Sequence, residues 1–231
     1  MSITSSPIKS LNNDDQIILP AESIHQDVLV IVPLRDFSVI SAIWSSWPSK
    51  LAQSHSLLVF NASTDVNIAN EPIISNPLPN VTMLTWAGQE RDSFATLSVK
   101  VAKTFAWVIT HHPEVKWVAK TDTDTFLVPD EFRKALKEFG KDPMSDPWYA
   151  GWINTAGYNS GVLYVLSHAA LVKSLPLFIE AGYNSMDQPP FEDQMVGLIM
   201  ASIGVTPNQF RKGSVIPVML QERNNDDISV P

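Results

Sequence analysis

Cysteine is absent from this 231-residue chain, so neither a disulfide framework nor a thiolate metal site can be built. Positive charge is sparse: 16 Lys and Arg stand against 24 Asp and Glu, and no basic block occurs. That argues against a nucleic-acid or anionic-membrane surface, and an anionic ligand would need a metal or a few well-placed basic groups. Long apolar runs are missing too. None approaches the roughly 20 residues needed to span a bilayer. The first 26 residues are polar and carry no basic leader, so neither a signal peptide nor a membrane anchor is expected. What the chain does have is core material, with seven Trp and ten Phe in a length suited to one α/β domain. Asn61-Ala62-Ser63 and Asn80-Val81-Thr82 fit the glycosylation sequon, a triplet too common to indicate secretion.

The most informative stretch is Lys116 to Pro129, KWVAKTDTDTFLVP. Trp117, Val118 and Ala119 read as a buried strand, the chain turns polar at Lys120, Thr121 and Asp122, and apolar residues return at Phe126. In an open α/β sheet, ligands gather outside the carboxyl ends of the strands. Asp122 and Asp124 fall where this strand runs out. Two hard oxygen donors at that spacing, with Lys120 beside them, suit a divalent cation carrying a diphosphate. A solvated turn would look much the same, because Asp is common in turns.

Around this stretch, residues 1–26 read as a loose arm, 27–213 as the folded domain and 214–231 as a tail. Asp27 to Leu34 is a near-continuous β-branched run, a strand buried on both faces, with Arg35 and Asp36 at its carboxyl end. Ser38 to Ala52 begins as a helix that Pro48 ends or kinks. His55 to Asn61 and Val81 to Trp86 are strands, separated by an Asn- and Pro-rich loop from Ala62 to Asn80. Phe94, Leu97, Val101, Phe105 and Val108 recur at helical spacing, with Asp92 or Ser93 as N-cap. His111 and His112 at that helix end read as C-terminal capping.

Asp130 to Phe139 is a short helix stopped at Gly140. Trp148 to Ile153 and Gly161 to Leu166 are strands joined by a polar turn, and His168 to Leu175 is a short helix. Phe191 to Ile203 is a helix with Glu192 and Asp193 in its first turn, where carboxylates meet the positive dipole end. Gly197 inside it costs about 1 kcal/mol against alanine, so some neighbour must need the missing side chain. Strands alternating with helices, followed by a more extended second half, predict an α/β sheet with an attached acceptor-like half.

Four blocks occur in order: DSFATLSVK from Asp92, KTDTDTFL from Lys120, YNSGVLYVLS from Tyr158 and EDQMVGLIMASIGVTP from Glu192. Together they make the chain resemble the fringe and β-1,3-galactosyltransferase family of glycosyltransferases over roughly Asp27 to Pro207. The resemblance implies a GT-A type, Rossmann-like α/β fold with a mixed, mostly parallel central sheet flanked by helices. It implies a UDP-sugar donor, a divalent cation (typically Mn2+) and a glycan or glycoprotein acceptor. By that resemblance Asp124 binds the metal, Asp122 binds metal or ribose, and Lys120 stands beside the phosphates. Asp193 is the general base for the acceptor hydroxyl, and Glu192 beside it is expected to bind substrate or nucleotide. Asn159, Ser160 and Gly161 form the turn at the donor sugar. Asp92 and Lys100 orient the helix beneath the nucleotide, though an exposed cap and a solvated lysine fit them equally, and Arg35 approaches the base. Read from the residues alone, Trp148, Tyr149 and Trp152 offer either a stacking face for a sugar, with Trp152 as its contact, or plain core packing. One base without a covalent intermediate implies inversion.

The chain departs from the family at three points. SAIWSSW keeps Trp47 but puts serines where the family has arginines. The five histidines all precede Glu192, so the family's late histidine ligand has only residues such as Gln209, Gln221, Glu222, Asn224 and Asn225 to replace it, and oxygen donors can serve manganese. Family members are mostly Golgi-anchored and cysteine-bearing, so the resemblance points to the secretory pathway while the composition leaves a soluble cytoplasmic protein open. Two rivals remain. A dehalogenase-type phosphatase also uses Asp-x-Asp, but with its nucleophile near the amino end. The other is a non-catalytic carbohydrate-binding protein on the same scaffold.

Overall fold

A computed structural model describes residues 27–33, 48, 56–63, 71–78, 80–87, 94–123, 125–139, 142–183, 191–210 and 215–217. Four of the segments read above lie outside them: the N-terminal arm, all of the first expected helix except Pro48, the Asp92/Ser93 cap, and the tail beyond Pro217. In chain order the elements are β1 (Val28–Pro33), β2 (Ser56–Ser63), β3 (Ile73–Leu78), β4 (Val81–Ala87), α1 (Phe94–His111), β5 (Trp117–Thr121), β6 (Thr125–Leu127) and α2 (Pro129–Glu138). Then come β7 (Tyr149–Ile153), β8 (Asn159–Ser167), α3 (His168–Tyr183), α4 (Glu192–Ser202), β9 (Pro207–Gln209) and β10 (Val215–Pro217).

Eight strands form one sheet in the order β3-β4-β2-β1-β5-β8-β7-β9. The β1–β2, β1–β5, β2–β4 and β7–β9 ladders are parallel, whereas β3–β4, β5–β8 and β7–β8 are antiparallel. This is the expected mixed, mostly parallel sheet. The β-branched run of β1 explains its central place. Leu29 and Ile31 face one apolar layer and Val28, Val30 and Val32 the other, so both faces of the strand are covered.

One layer holds α1, α3 and α4 through Val101, Phe105, Val108, Phe178, Met195 and Met200. The other holds α2 through Phe132, Ala135 and Leu136. The helical spacing read in α1 is thus its buried stripe, and Phe105 meets Phe178 of α3 with ring centroids 5.0 Å apart. Pro129 opens α2 at a position where its missing N–H costs nothing, and Asp130 and Glu131 sit at the positive end of the helix dipole.

Three expectations are corrected. The Asn- and Pro-rich loop contains β3, an edge strand paired antiparallel to β4 with a bulge between Ser75 and Leu78. Its outward residues are mostly exposed and Pro77 lacks a donor. An edge tolerates both, and both hid it from period-2 patterning. Asn80 closes this hairpin at φ 59°, a left-handed conformation that Asn accepts.

The helix expected to stop at Leu175 runs through Pro176 to Tyr183. An interior proline costs about 3 kcal/mol, but Phe178 and Ala181 beyond it are buried in the main apolar layer. One large apolar side chain alone recovers about 1.5–3 kcal/mol, so tertiary packing overrides the local stop. Finally, the segment from 214 is not wholly a tail. Val215–Pro217 pairs antiparallel with β6, tying the chain back beside the Asp-x-Asp stretch.

Candidate active site

β1 is flanked by β2 on one side and β5 on the other, so the strand order reverses direction there. Outside the carboxyl ends of two such parallel strands a crevice forms. β5 ends at Thr121, which puts Asp122 at that crevice. Antiparallel pairing of β5 with β8 sets Lys120 opposite Tyr164 and Thr121 opposite Leu163, and so brings the start of β8, with Ser160 and Gly161, beside the end of β5. Thr121 Oγ1 fixes that junction by donating to the Val162 carbonyl at 2.9 Å.

Lys120 is fully buried, and its ammonium donates to three acceptors: Asp122 Oδ1 at 2.6 Å, the Gly161 carbonyl at 2.8 Å and Glu192 Oε2 at 3.1 Å. A lysine has three N–H donors, so in this arrangement all of them are taken by protein groups. Glu192 is equally enclosed. Its second oxygen accepts from the Tyr164 hydroxyl, so both carboxylate oxygens are held within the protein. Burial holds the Glu192 carboxyl above its usual range, with Lys120 and the Tyr164 hydroxyl pulling the other way. Burial also works against charge on Lys120, but Glu192 and Asp122 together outweigh it and raise its pKa.

Gly161 is the node of this network. Lys120 binds its carbonyl, and its N–H donates to Asp193 Oδ2 at 3.3 Å. A Cβ here would stand 3.2 Å from both Lys120 Nζ and Glu192 Oε2 and 3.5 Å from Asp122 Oδ2. The close approach of Lys120 and Glu192 therefore favours glycine, since a Cβ would force both to shift by a few tenths of an ångström. Asp193, in the first turn of α4, also accepts from the Gln194 N–H at 2.9 Å. It remains partly exposed, and each carboxylate oxygen keeps a further lone pair.

The other predicted residues fall as follows. Trp152 is 42% exposed on β7. Its neighbours take the core-packing alternative: Tyr149 is fully buried, and Trp148 packs against Phe139 at 4.9 Å. Asn159 is also fully buried, with its backbone bracketed by the Tyr149 hydroxyl and both side-chain polar atoms without a hydrogen-bond partner. Lys100 is buried on α1, where burial pushes its pKa down to about 8. His111 caps the α1 end as expected, its Nδ1 2.9 Å from the Trp107 carbonyl oxygen.

Arg35, Asp92 and Asp124 lie outside the described residues. Among the described residues no cluster of three His, Asp or Glu is arranged to hold a metal, and no helix is long and apolar enough to cross a membrane. Tyr164 is the site residue that sequence reasoning missed. Its signal was strand parity, since it shares a sheet face with Lys120, but that needed the β5–β8 register.

Residues 89–158, less than half of the chain, match the family model described as Galactosyltransferase. No curated protein matches the chain. Among solved structures, a glycosyltransferase involved in glycosylation of the major capsid of PBCV-1 is 12% identical, with a TM-score of 0.46 over 79% of this chain and 81% of its own. A mannosyltransferase from Pyrobaculum calidifontis, in complex with GDP-Man and Mn2+, is 13% identical, with a TM-score of 0.46 over 82% of this chain and 56% of its own. A 4-diphosphocytidyl-2C-methyl-D-erythritol synthase from Anaerococcus prevotii is 9% identical, with a TM-score of 0.48 over 85% and 92%. These likenesses span different chemistries and assign no activity.

Proposed function

We propose that this chain is a GT-A type, inverting, metal-dependent glycosyltransferase that moves a hexose or N-acetylhexosamine from a UDP-sugar to a glycan or glycoprotein hydroxyl, with β-1,3 linkage. The observation that carries this is the convergence on Gly161: three of the four blocks, distant in sequence, contribute Lys120 and Asp122, Gly161, and Glu192 and Asp193 to one node. The Galactosyltransferase match over residues 89–158 supports the same reading.

Asp122 and Asp124 would hold Mn2+ or another divalent cation. The donor chemistry fits, because Asp122 is a hard oxygen donor at a strand end, only partly buried, and Lys120 engages its Oδ1 and not its Oδ2. When bound, the cation supplies Lewis-acid stabilisation of the charge on the departing diphosphate. Asp193 takes the proton from the acceptor hydroxyl as that oxygen attacks the anomeric carbon. With a single base and no protein nucleophile, attack is in line and inverts the α-linked donor to a β-linked product. Asn159, Ser160 and Gly161 would line the donor-sugar side, and Trp152 presents an exposed ring to a sugar face. Arg35, Asp92 and Lys100 support the nucleotide side.

The test is release of UDP from UDP-galactose, UDP-N-acetylglucosamine and UDP-N-acetylgalactosamine with Mn2+, with and without EDTA. Release with Mn2+ that EDTA abolishes, together with loss of Mn2+-dependent UDP binding in Asp124→Ala, is the expected result. UDP binding indifferent to EDTA and to Asp124→Ala would refute the metal assignment. Binding of glycan without any UDP release would favour the non-catalytic sugar-binding alternative.

A further inference from the structure

The geometry points to Lys120 and Glu192 as positioning residues that set the spacing between the donor-side carboxylate Asp122 and the base Asp193, without either touching substrate. The inference rests on the transferase reading above and assigns these two residues a different role from ligand binding. Lys120 sits at the end of β5 and Glu192 at the start of α4, elements far apart in sequence that no backbone ladder joins. Their ion pair at 3.1 Å is buried at both ends, with side-chain exposures of 1% and 5%. All three Lys120 donors are taken by protein groups, and Glu192 is enclosed with Lys120 on one oxygen and the Tyr164 hydroxyl on the other, so burial shuts both side chains off from a nucleotide or sugar.

The same pair holds both functional carboxylates. Asp122 is held directly by Lys120. Asp193 follows Glu192 in the chain and accepts the N–H of Gly161, whose carbonyl Lys120 grips. A buried pair of this kind anchors geometry more than it adds net stability, because its desolvation offsets most of its attraction. Tyr164 completes the clamp from β8 by donating to the Glu192 oxygen that Lys120 does not use.

The experiment compares the parent chain with Lys120→Met, Glu192→Gln and the double variant, reading three quantities: Kd for UDP with Mn2+ by calorimetry, kcat and KM for the best UDP-sugar, and Tm. Glu192→Gln keeps the shape of the side chain. It is expected to weaken UDP·Mn2+ binding about fivefold and to lower kcat about tenfold, since small misplacements at a reacting centre cost that much or more. Lys120→Met is expected to cost more in both. The double variant is expected to be no worse than Lys120→Met alone, because the two residues act as one unit.

A Glu192→Gln protein with parental Kd and kcat overturns the positioning role, as does a fall in Tm alone with function intact. Losses that multiply in the double variant also overturn it, since they mean two independent contacts. Should Lys120→Met fail to fold, Glu192→Gln decides. A parent chain that binds no UDP·Mn2+ overturns the transferase reading and the positioning role with it, whereas a binding parent with an indifferent Glu192→Gln overturns the positioning role alone.

Discussion

At Gly161 three charged side chains come so close that a methyl group would press on two of them at 3.2 Å. Gly161→Ala is therefore expected to lower the transfer rate by about tenfold or more through displacement of Lys120 and Glu192, while leaving the sheet intact. Steady-state kinetics beside an unchanged circular dichroism spectrum would show it. Lys100 poses a separate question of pH. Its pKa is pushed down by burial from 10.5 to about 8, so between those values the folded chain has lost a proton that the unfolded chain keeps. More protons on the unfolded state mean that stability rises with pH across this window, by up to about 3 kcal/mol. Lys100→Met should lose that rise. Denaturant unfolding of parent and variant at pH 8 and pH 10 measures it, and equal slopes would refute it. These residues were legible in different degrees. Gly161 was visible as a small residue in a turn, but why a side chain is disfavoured there depends on Lys120 and Glu192, some 40 and 30 positions away.

Among the elements, α4 offers the clearest conflict of magnitudes. Gly197→Ala gains about 1 kcal/mol of helix propensity. The new Cβ, however, would stand 2.6 Å from Cβ of Tyr158, and overpacking of that kind costs typically 1–3 kcal/mol. Net destabilisation is expected, read as a lower denaturation midpoint, and a higher midpoint would mean that the Tyr158 turn yields easily. The glycine's presence in a helical pattern was itself the sequence signal that something packs there. Other elements gave no such signal. β3 has an exposed, proline-containing edge pattern, and α3 continues past Pro176 because Phe178 and Ala181 are buried, which is tertiary information. The strongly periodic α1 and the doubly buried β1 could be read directly because local pattern and burial agree in them.

For the whole molecule, the mixed sheet explains both what could be read and what could not. The parallel half, β4-β2-β1-β5, follows from β-branched runs alternating with helical spacing, and it puts Asp122 at the strand-order reversal. The second half folds back antiparallel, which sets the start of β8 and the N-terminus of α4 against that same edge. Pairing between distant strands leaves no mark in local periodicity. The resemblance of the four blocks could therefore name Lys120, Gly161 and Asp193, while the enclosure of Lys120 and Glu192 and the part played by Tyr164 emerged only from the register.

The central claim is that Asp193 acts as base across this junction from a donor held at Asp122. The most direct measurement pairs UDP·Mn2+ affinity with the rate of sugar transfer in Asp193→Asn. The account predicts an affinity within about twofold of the parent and a transfer rate lower by about 10²–10⁴. Transfer at the parental rate in Asp193→Asn would contradict it.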